Sequence, residues 1–235
     1  MTKKETILIN GCSQGLGLEL FNFLDSKKYN ILGLTSKTIK KKNIFHYNPM
    51  KEIKLSSKLE FFLKKQKIDH IIHCTGGGFG YRSKFIDVDK LIKLFNVIFF
   101  SVYQINKRII QNKIKNKKLN IIMIGSLAGS ETVGYLGYSA AKSVLFNYNK
   151  NLSKFFYKDN VISKLVVPSF FTSKKGSLDR LKKNKPLIFK RVLKKKPYSA
   201  KQIMKNIEYL LKPESDILNG STINISSQEA KSVKV

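Results

Sequence analysis

Thr6-Ile7-Leu8-Ile9-Asn10-Gly11-Cys12-Ser13-Gln14-Gly15-Leu16-Gly17 lies near the start of a chain of 235 residues. A short apolar run ends in three glycines spaced GxxxGxG, and Leu16, Leu20, Phe23 and Leu24 then recur at helical spacing. The stretch reads as a strand, a sharp turn and the first turns of a helix. Glycine serves such a turn because the backbone must bend tightly and leave room for a close neighbour. The helix start adds unpaired N–H groups and a partial positive charge, so the turn is fitted to an anion such as a pyrophosphate. Gly11, Ser13, Gly15, Leu16 and Gly17 are the residues expected to hold it.

The same alternation continues outward from this unit. Ile7–Asn10, Ile31–Thr35, Ile44–Tyr47, His70–Cys74, Ile121–Gly125, Ser163–Val167 and Leu218–Ile225 read as strands. Between them, Leu91, Leu94, Phe95 and Ile98 fall at helical spacing, and a longer helix is expected over about Tyr138 to Tyr157. Ser199 followed by Gln202 makes a capping box for a helix ending near Leu211. Strands alternating with helices imply an α/β fold, a doubly wound, mostly parallel sheet with helices on both faces. No repeat or linker divides the chain, so residues 1–235 read as one Rossmann-type domain. The basic segment at about 173–196, which holds Pro186, reads as a lid or a solvated excursion.

Composition narrows the class. A hydrophobic content of 42% suits a folded globular chain. The longest apolar stretch, Leu94 to Ile105, is too short to span a bilayer and contains Asn96 and Gln104. The N-terminus does not read as a secretion signal, so a cytoplasmic location is expected. Cys12 and Cys74 have no metal-binding spacing. The net charge of +30 comes almost wholly from lysine, spread along the chain. Specific nucleic-acid readers favour arginine's planar fork. Unpatterned lysine beside abundant Asn and Ile fits compositional drift better than a nucleic-acid surface.

Further positions bear on a dinucleotide. The second strand ends in Leu34-Thr35-Ser36-Lys37, with no carboxylate to meet a ribose 2′-hydroxyl. Ser36 and Lys37 could hold a 2′-phosphate, so NADP(H) is preferred over NAD(H). Asn48 could meet an adenine edge or simply build a turn before Pro49. The fourth strand runs into His73-Cys74-Thr75-Gly76-Gly77-Gly78, where Thr75 and Gly76 could approach the ligand. His73 reads as structural.

Tyr138-Ser139-Ala140-Ala141-Lys142 puts a phenol and an ammonium on one helical face. A phenol near pKa ~10 is a poor acid–base catalyst at neutral pH, and a nearby cation brings it towards the working range. Ser126 follows the fifth strand, where its hydroxyl could hold a carbonyl oxygen. Asn96 sits among Leu94, Phe95, Val97 and Ile98, a costly setting unless its amide finds partners.

With these motifs in register the sequence resembles the short-chain dehydrogenase/reductase family in its single-domain form. The resemblance implies that Ser126, Tyr138, Lys142 and Asn96 carry a ketone–alcohol interconversion. Tyr138 would pass the proton, Ser126 polarise the oxygen, Lys142 lower the phenol's pKa and hold the ribose, and Asn96 fix a water. Pro168, Phe171 and Ser173 would line the nicotinamide side. The family's Asn-Asn-Ala-Gly is His73-Cys74-Thr75-Gly76 here, its Thr is Asn10, its Pro-Gly is Pro168-Ser169, and its Asp-Gly-Gly tail is Ser226-Ser227-Gln228. The resemblance also implies a homotetramer or homodimer built partly through the helices around Asn96 and Tyr138.

An anionic substrate is expected from Lys174, Lys175, Arg180, Lys182, Lys183, Lys190 and Arg191 in the lid segment. A 3-oxoacyl chain on a carrier protein and a sugar-linked ketone are the alternatives. A non-catalytic nucleotide-sensing regulator is the alternative of another class.

Overall fold

The computed structural model describes residues 4–25, 29–39, 41–131, 134–173, 177–194 and 196–225. A seven-stranded sheet runs through it in the order β3-β2-β1-β4-β5-β6-β9. Its strands are β1 (Thr6–Asn10), β2 (Asn30–Thr35), β3 (Ile44–His46), β4 (His70–His73), β5 (Leu119–Ile124), β6 (Val161–Pro168) and β9 (Thr222–Ile225). Every neighbouring pair is parallel. The last strand is shorter than the sequence implied. It begins at Thr222, because Pro213–Leu218 closes into a 3₁₀ turn with proline at its start.

Parallel strands need a crossover to return, and the crossovers cover both faces. The period-2 alternation shows which side chain faces which helix layer. Leu8, Ile71, Ile121, Met123 and Leu165 point to one core, filled by Leu59 and Leu63 of α2 (Ser57–Lys65) and by Leu145 and Leu152 of α5 (Leu136–Phe155). Ile7, Ile9, Ile72, Ile122 and Val166 point to the other. That core is filled by Leu20 and Phe21 of α1 (Gly15–Asp25) and by Ile203 and Ile207 of α8 (Ala200–Leu210). The capping box expected at Ser199 and Gln202 is present at the start of α8.

The helix expected around Leu91–Ile98 is longer and interrupted. α3 (Val88–Phe95) passes into a π turn, Asn96–Phe100, and on into α4 (Ser101–Asn112). The Ser101 N–H bonds the Asn96 carbonyl, and the Ser101 hydroxyl donates to the Val97 carbonyl at 2.8 Å. The inserted residue leaves a backbone acceptor out of the α ladder, and the serine satisfies it.

The basic segment is helical rather than irregular. α6 (Ser177–Asn184) and α7 (Pro186–Lys194) hang between β7 (Phe171–Thr172) and β8 (Tyr198–Ser199), which pair with each other. Leu178 and Val192 are buried in a small core of their own with Phe170, Leu181, Ile188 and Phe189. Lys174 and Lys175 lie outside the described residues, as does the Ser226–Gln228 tail. Among the described residues no helix is long and apolar enough to cross a membrane.

Lys164 of β6 is 0% exposed, an uncommon place for an ammonium. It donates to Ser215 Oγ at 2.7 Å, to the Leu210 carbonyl at 3.0 Å and to Asn120 Oδ1 at 3.4 Å. Asp216 Oδ1 lies 3.8 Å away. The cation thus sits on the carbonyl end of α8, where the helix dipole favours it. Burial still pushes its pKa down to about 8. Lys164→Ala removes the stem and leaves polar partners facing a cavity, at a cost of about 2–4 kcal/mol. A fall in Tm of roughly 5–15 °C is expected in thermal unfolding. A Tm within 1 °C of wild type, about the measurement error, would contradict it.

Candidate active site

The strand order reverses between β1 and β4, and ligands in such sheets bind beyond the strand carboxyl ends at the reversal. The glycine turn lies there. Gly11 and Cys12 N–H groups both bond the Leu34 carbonyl, at 2.9 and 3.1 Å, which ties the turn to β2. The N–H groups of Gly15, Leu16 and Gly17, in the first turn of α1, have no acceptor within the helix. A Cβ on Gly17 would lie 2.1 Å from the Gly11 carbonyl oxygen, so only glycine lets helix and turn close together. Ser13 is half-buried beside them. The cradle fits a pyrophosphate.

Beneath the turn runs a buried polar chain. Asn10 and His73 are paired in the β1–β4 register, and Asn10 Nδ2 lies 3.2 Å from His73 Nδ1. His73 Nε2 lies 2.8 Å from Asn106 Oδ1, and Asn106 Nδ2 donates to the Tyr148 hydroxyl at 3.2 Å. One tautomer satisfies the chain, with Nδ1 accepting and Nε2 donating. Burial holds the His73 pKa down at about 4, so the ring is neutral. His73 and Asn10 thus join the edge strands of the turn to α4 and α5. The nearby thiols are inert: burial pushes Cys12 up to about 11 and Cys74 up to about 12.

The catalytic residues named from sequence come from α5 itself, the loop after β5 and the π turn. Lys142 is 2% exposed, and Nζ donates to the Ile124 carbonyl at 2.8 Å and the Thr75 carbonyl at 3.4 Å. A Cβ on Gly76 would lie 3.1 Å from that nitrogen. Burial pushes the Lys142 pKa down to about 8, close to a range useful in proton transfer. Ser126 ends the loop after β5, and its Oγ accepts from the Ala128 N–H at 3.3 Å. A 3₁₀ turn, Leu127–Gly129, follows and rests against α5. A Cβ on Gly129 would be 2.9 Å from the Lys142 carbonyl carbon, so this glycine sets how closely the Ser126 loop approaches.

Tyr138, one turn before Lys142, is half-buried against the core that also holds Leu127 and Ala141. Asn96 is 7% exposed at the π turn, and its Oδ1 has no hydrogen-bond partner. Buried Thr75 Oγ1 is likewise unpartnered. Two unpaired oxygens on the elements that surround Lys142 are what a ribose, an amide or a bound water would satisfy. The residues present fit a nicotinamide dinucleotide.

The other sequence candidates divide. Ser36 and Lys37 are exposed at the end of β2, with the Lys37 N–H on Thr35 Oγ1 at 3.1 Å. Asn48 builds a turn: its Oδ1 accepts from the Met50 N–H at 3.2 Å. Pro168 ends β6, Phe171 lies in β7 against the α8-side core, and Ser173 is half-buried just beyond. In the basic segment, Lys182, Lys183, Lys190 and Arg191 are exposed, and the Arg180 side chain lies outside the described residues. Lys185, which sequence reasoning passed over, is the half-buried lysine there. It donates to the Tyr135 hydroxyl at 3.2 Å, three residues before Tyr138. Its one sequence cue is its place before Pro186, at the corner between α6 and α7.

The family model for short chain dehydrogenase matches residues 5–182. The 3-oxoacyl-(acyl-carrier-protein) reductase FabG of Buchnera aphidicola subsp. Schizaphis graminum is 28% identical over 72% of this chain and 74% of its own length. The 3-ketodihydrosphingosine reductase of Bacteroides thetaiotaomicron is 25% identical over 72% of this chain and 65% of its own. Among solved structures, an oxidoreductase of the short chain dehydrogenase/reductase family from Burkholderia thailandensis matches with a TM-score of 0.82. It is 16% identical, over 99% of this chain and 95% of its own. A 4-hydroxyisoleucine dehydrogenase complexed with NADH matches with a TM-score of 0.78 at 18% identity, over 97% of this chain and 99% of its own.

His73 makes the site's scaffold sensitive to acid. Unfolded histidine takes its proton near 6.5, whereas the folded residue does so only at about 4. Between those values the unfolded chain binds the extra proton, so stability falls as pH drops through the window, by roughly 3 kcal/mol in all. In His73→Gln, denaturant unfolding should show a shallower loss between pH 6.5 and 4, with His70 supplying what remains. An unchanged slope would refute the assignment.

Proposed function

The chain belongs to the short-chain dehydrogenase family, and from that premise we propose that it interconverts a ketone and a secondary alcohol with NADP(H) on an anionic substrate. Membership makes it a nicotinamide-dependent oxidoreductase acting on carbonyl or hydroxyl groups. The observation that carries the proposed site is the placement of Lys142. A buried ammonium one helical turn after Tyr138 bonds carbonyls that end the β4 loop and β5.

The nicotinamide, when bound, supplies or accepts the hydride. Gly15, Leu16 and Gly17 would offer N–H groups to its pyrophosphate, and Thr75 and Gly76 would hold it on the side of Lys142. Tyr138 gives the substrate oxygen its proton, or takes it in the reverse direction. Lys142 stabilises the phenolate electrostatically and returns the proton. Ser126 donates to the same oxygen and orients it. Asn96, with its unpaired oxygen at the π turn, holds a water that passes protons to Lys142.

The preference for NADP(H) rests on the end of β2, where Ser36 and Lys37 stand exposed without a carboxylate. The anionic substrate rests on the lid, whose described residues carry Lys182, Lys183, Lys185, Lys190 and Arg191 against one acid, Asp179. A carrier-linked 3-oxoacyl substrate is the second reading, favoured by the named activity of the Buchnera relative. We place the protein in the cytoplasm as a homodimer or homotetramer. Val88, Ile92, Phe100 and Tyr103 form a stripe along α3 and α4, and Phe100 and Tyr103 are 39% and 44% exposed. An apolar stripe of this kind suits pairing with a second copy.

Tyr138→Phe should lower kcat by about 10²–10⁴ with NADPH binding intact, followed by NADPH absorbance and by cofactor fluorescence. Retained biological effect with turnover abolished would favour the regulator. For the cofactor, Lys37→Glu should shift the NADPH-to-NADH ratio of kcat/KM towards NADH by about tenfold, or 1.4 kcal/mol. An unmoved ratio removes Lys37 from 2′-phosphate recognition.

A further inference from the structure

Among the described residues the half-buried lysines are Lys113, Lys117, Lys118 and Lys185. Partly desolvating an ammonium is costly unless something replaces its water. Lys117 pairs with Asp69 at 2.6 Å and Lys118 with Asp216 at 2.9 Å. Lys113 donates to the Lys117 carbonyl at 2.9 Å and to the Ile114 carbonyl at 3.4 Å. Lys185 differs. Its hydrogen bond goes to a neutral phenol, Tyr135, and its nitrogen lies 5.8 Å from the centre of that ring. No carboxylate among the described residues forms an ion pair with it.

The backbone that carries this cation and the turn that carries its partner are both held in place. Its N–H bonds the Leu181 carbonyl at 2.8 Å, and its carbonyl accepts from the Phe189 N–H at 3.0 Å. The corner between α6 and α7 is therefore continuous with both helices, and their small core keeps it rigid. On the other side, the Tyr135 carbonyl accepts from the Ser139 N–H at 2.9 Å, so Tyr135 belongs to the turn that carries Tyr138. Among the described residues, the lid thus delivers one ammonium to the turn that carries Tyr138 and leaves Lys182, Lys183, Lys190, Arg191, Lys194 and Lys196 in solvent.

We propose that Lys185 recognises the acidic group of the substrate, pairing with a carboxylate or phosphate while the carbonyl lies at Tyr138; this rests on the anionic-substrate reading above. The phenol is a weak acceptor and gives way readily to an anion, whose bond to an ammonium is roughly twice as strong as a neutral one. An anion bound there also draws the lid onto α5, which shields the reacting carbonyl from water. Lys185 is in this sense a specificity-determining residue, separate from Ser126, Tyr138 and Lys142.

The test uses two small carbonyl compounds that differ in one charge, acetoacetate and methyl acetoacetate. Each is titrated calorimetrically into the full-length enzyme saturated with NADP⁺, so that no turnover occurs. Wild type should bind the acid at least tenfold more tightly than the ester. Lys185→Gln should bring the ratio near one through loss of acid binding alone, and Lys185→Arg should restore most of it. Tyr135→Phe should keep the preference. The proposal is overturned if wild type shows no preference for the acid, absence of binding to both included. It is also overturned if Lys185→Gln keeps the preference, or if Tyr135→Phe loses it equally, since the contact would then only anchor the lid. Failure of the ketone–alcohol reading would show separately, as NADPH consumption that survives Tyr138→Phe.

Discussion

A sheet whose strands all run one way puts every strand's carboxyl end on one edge, and that constraint organises this molecule. Each crossover must return over a face, so α1 and α8 cover one side and α2, α4 and α5 the other. What remains for chemistry is the edge itself. There the glycine turn after β1, the Thr75–Gly76 loop after β4, Ser126 after β5 and Pro168 at the end of β6 meet. A reversed strand would carry its own loop to the opposite edge, away from the others. The reversal of order between β1 and β4 then splits the covering helices and opens the cleft.

The fold meets the cost of a buried ammonium in two ways. Lys164 lies on the sheet beneath α8, with three neutral acceptors and a carboxylate close by. Every proton has a home, and the residue locks a helix end to a strand. Lys142 has two backbone carbonyls, those of Ile124 and Thr75. Burial lowers both pKa values to about 8. The shift alone therefore does not mark a catalytic group.

Local chemistry was readable in the sequence, and packing was not. The GxxxGxG turn and the pairing of Tyr138 with Lys142 need only a neighbouring helix to acquire meaning, so a one-dimensional reading reaches them. The cost of Asn96 among apolar neighbours was visible too, but not the π turn that begins there, where the Ser101 hydroxyl bonds the Val97 carbonyl. The chain from Asn10 through His73 and Asn106 to Tyr148 joins residues tens of positions apart, and no spacing predicts it. The early start assigned to the last strand shows the converse error. Leu218 reads as strand by composition, while Pro213 and the buried Ser215 hold it in a turn.

Charge shows the same limit most clearly. A sum of +30 spread over lysines says little about any one of them, because an exposed ammonium keeps its water and its neighbours barely feel it. Information enters where water is removed. Each lysine taken out of solvent must find acceptors, and the acceptor it finds shows its use: a carboxylate for an ion pair, backbone carbonyls for a cap, a phenol where a stronger partner is still to arrive. Lys185 stands in that last class at the corner of two helices held rigid by six apolar side chains. The small core between α6 and α7 holds the main chain at that corner, and so sets an ordinary surface residue type within reach of Tyr135.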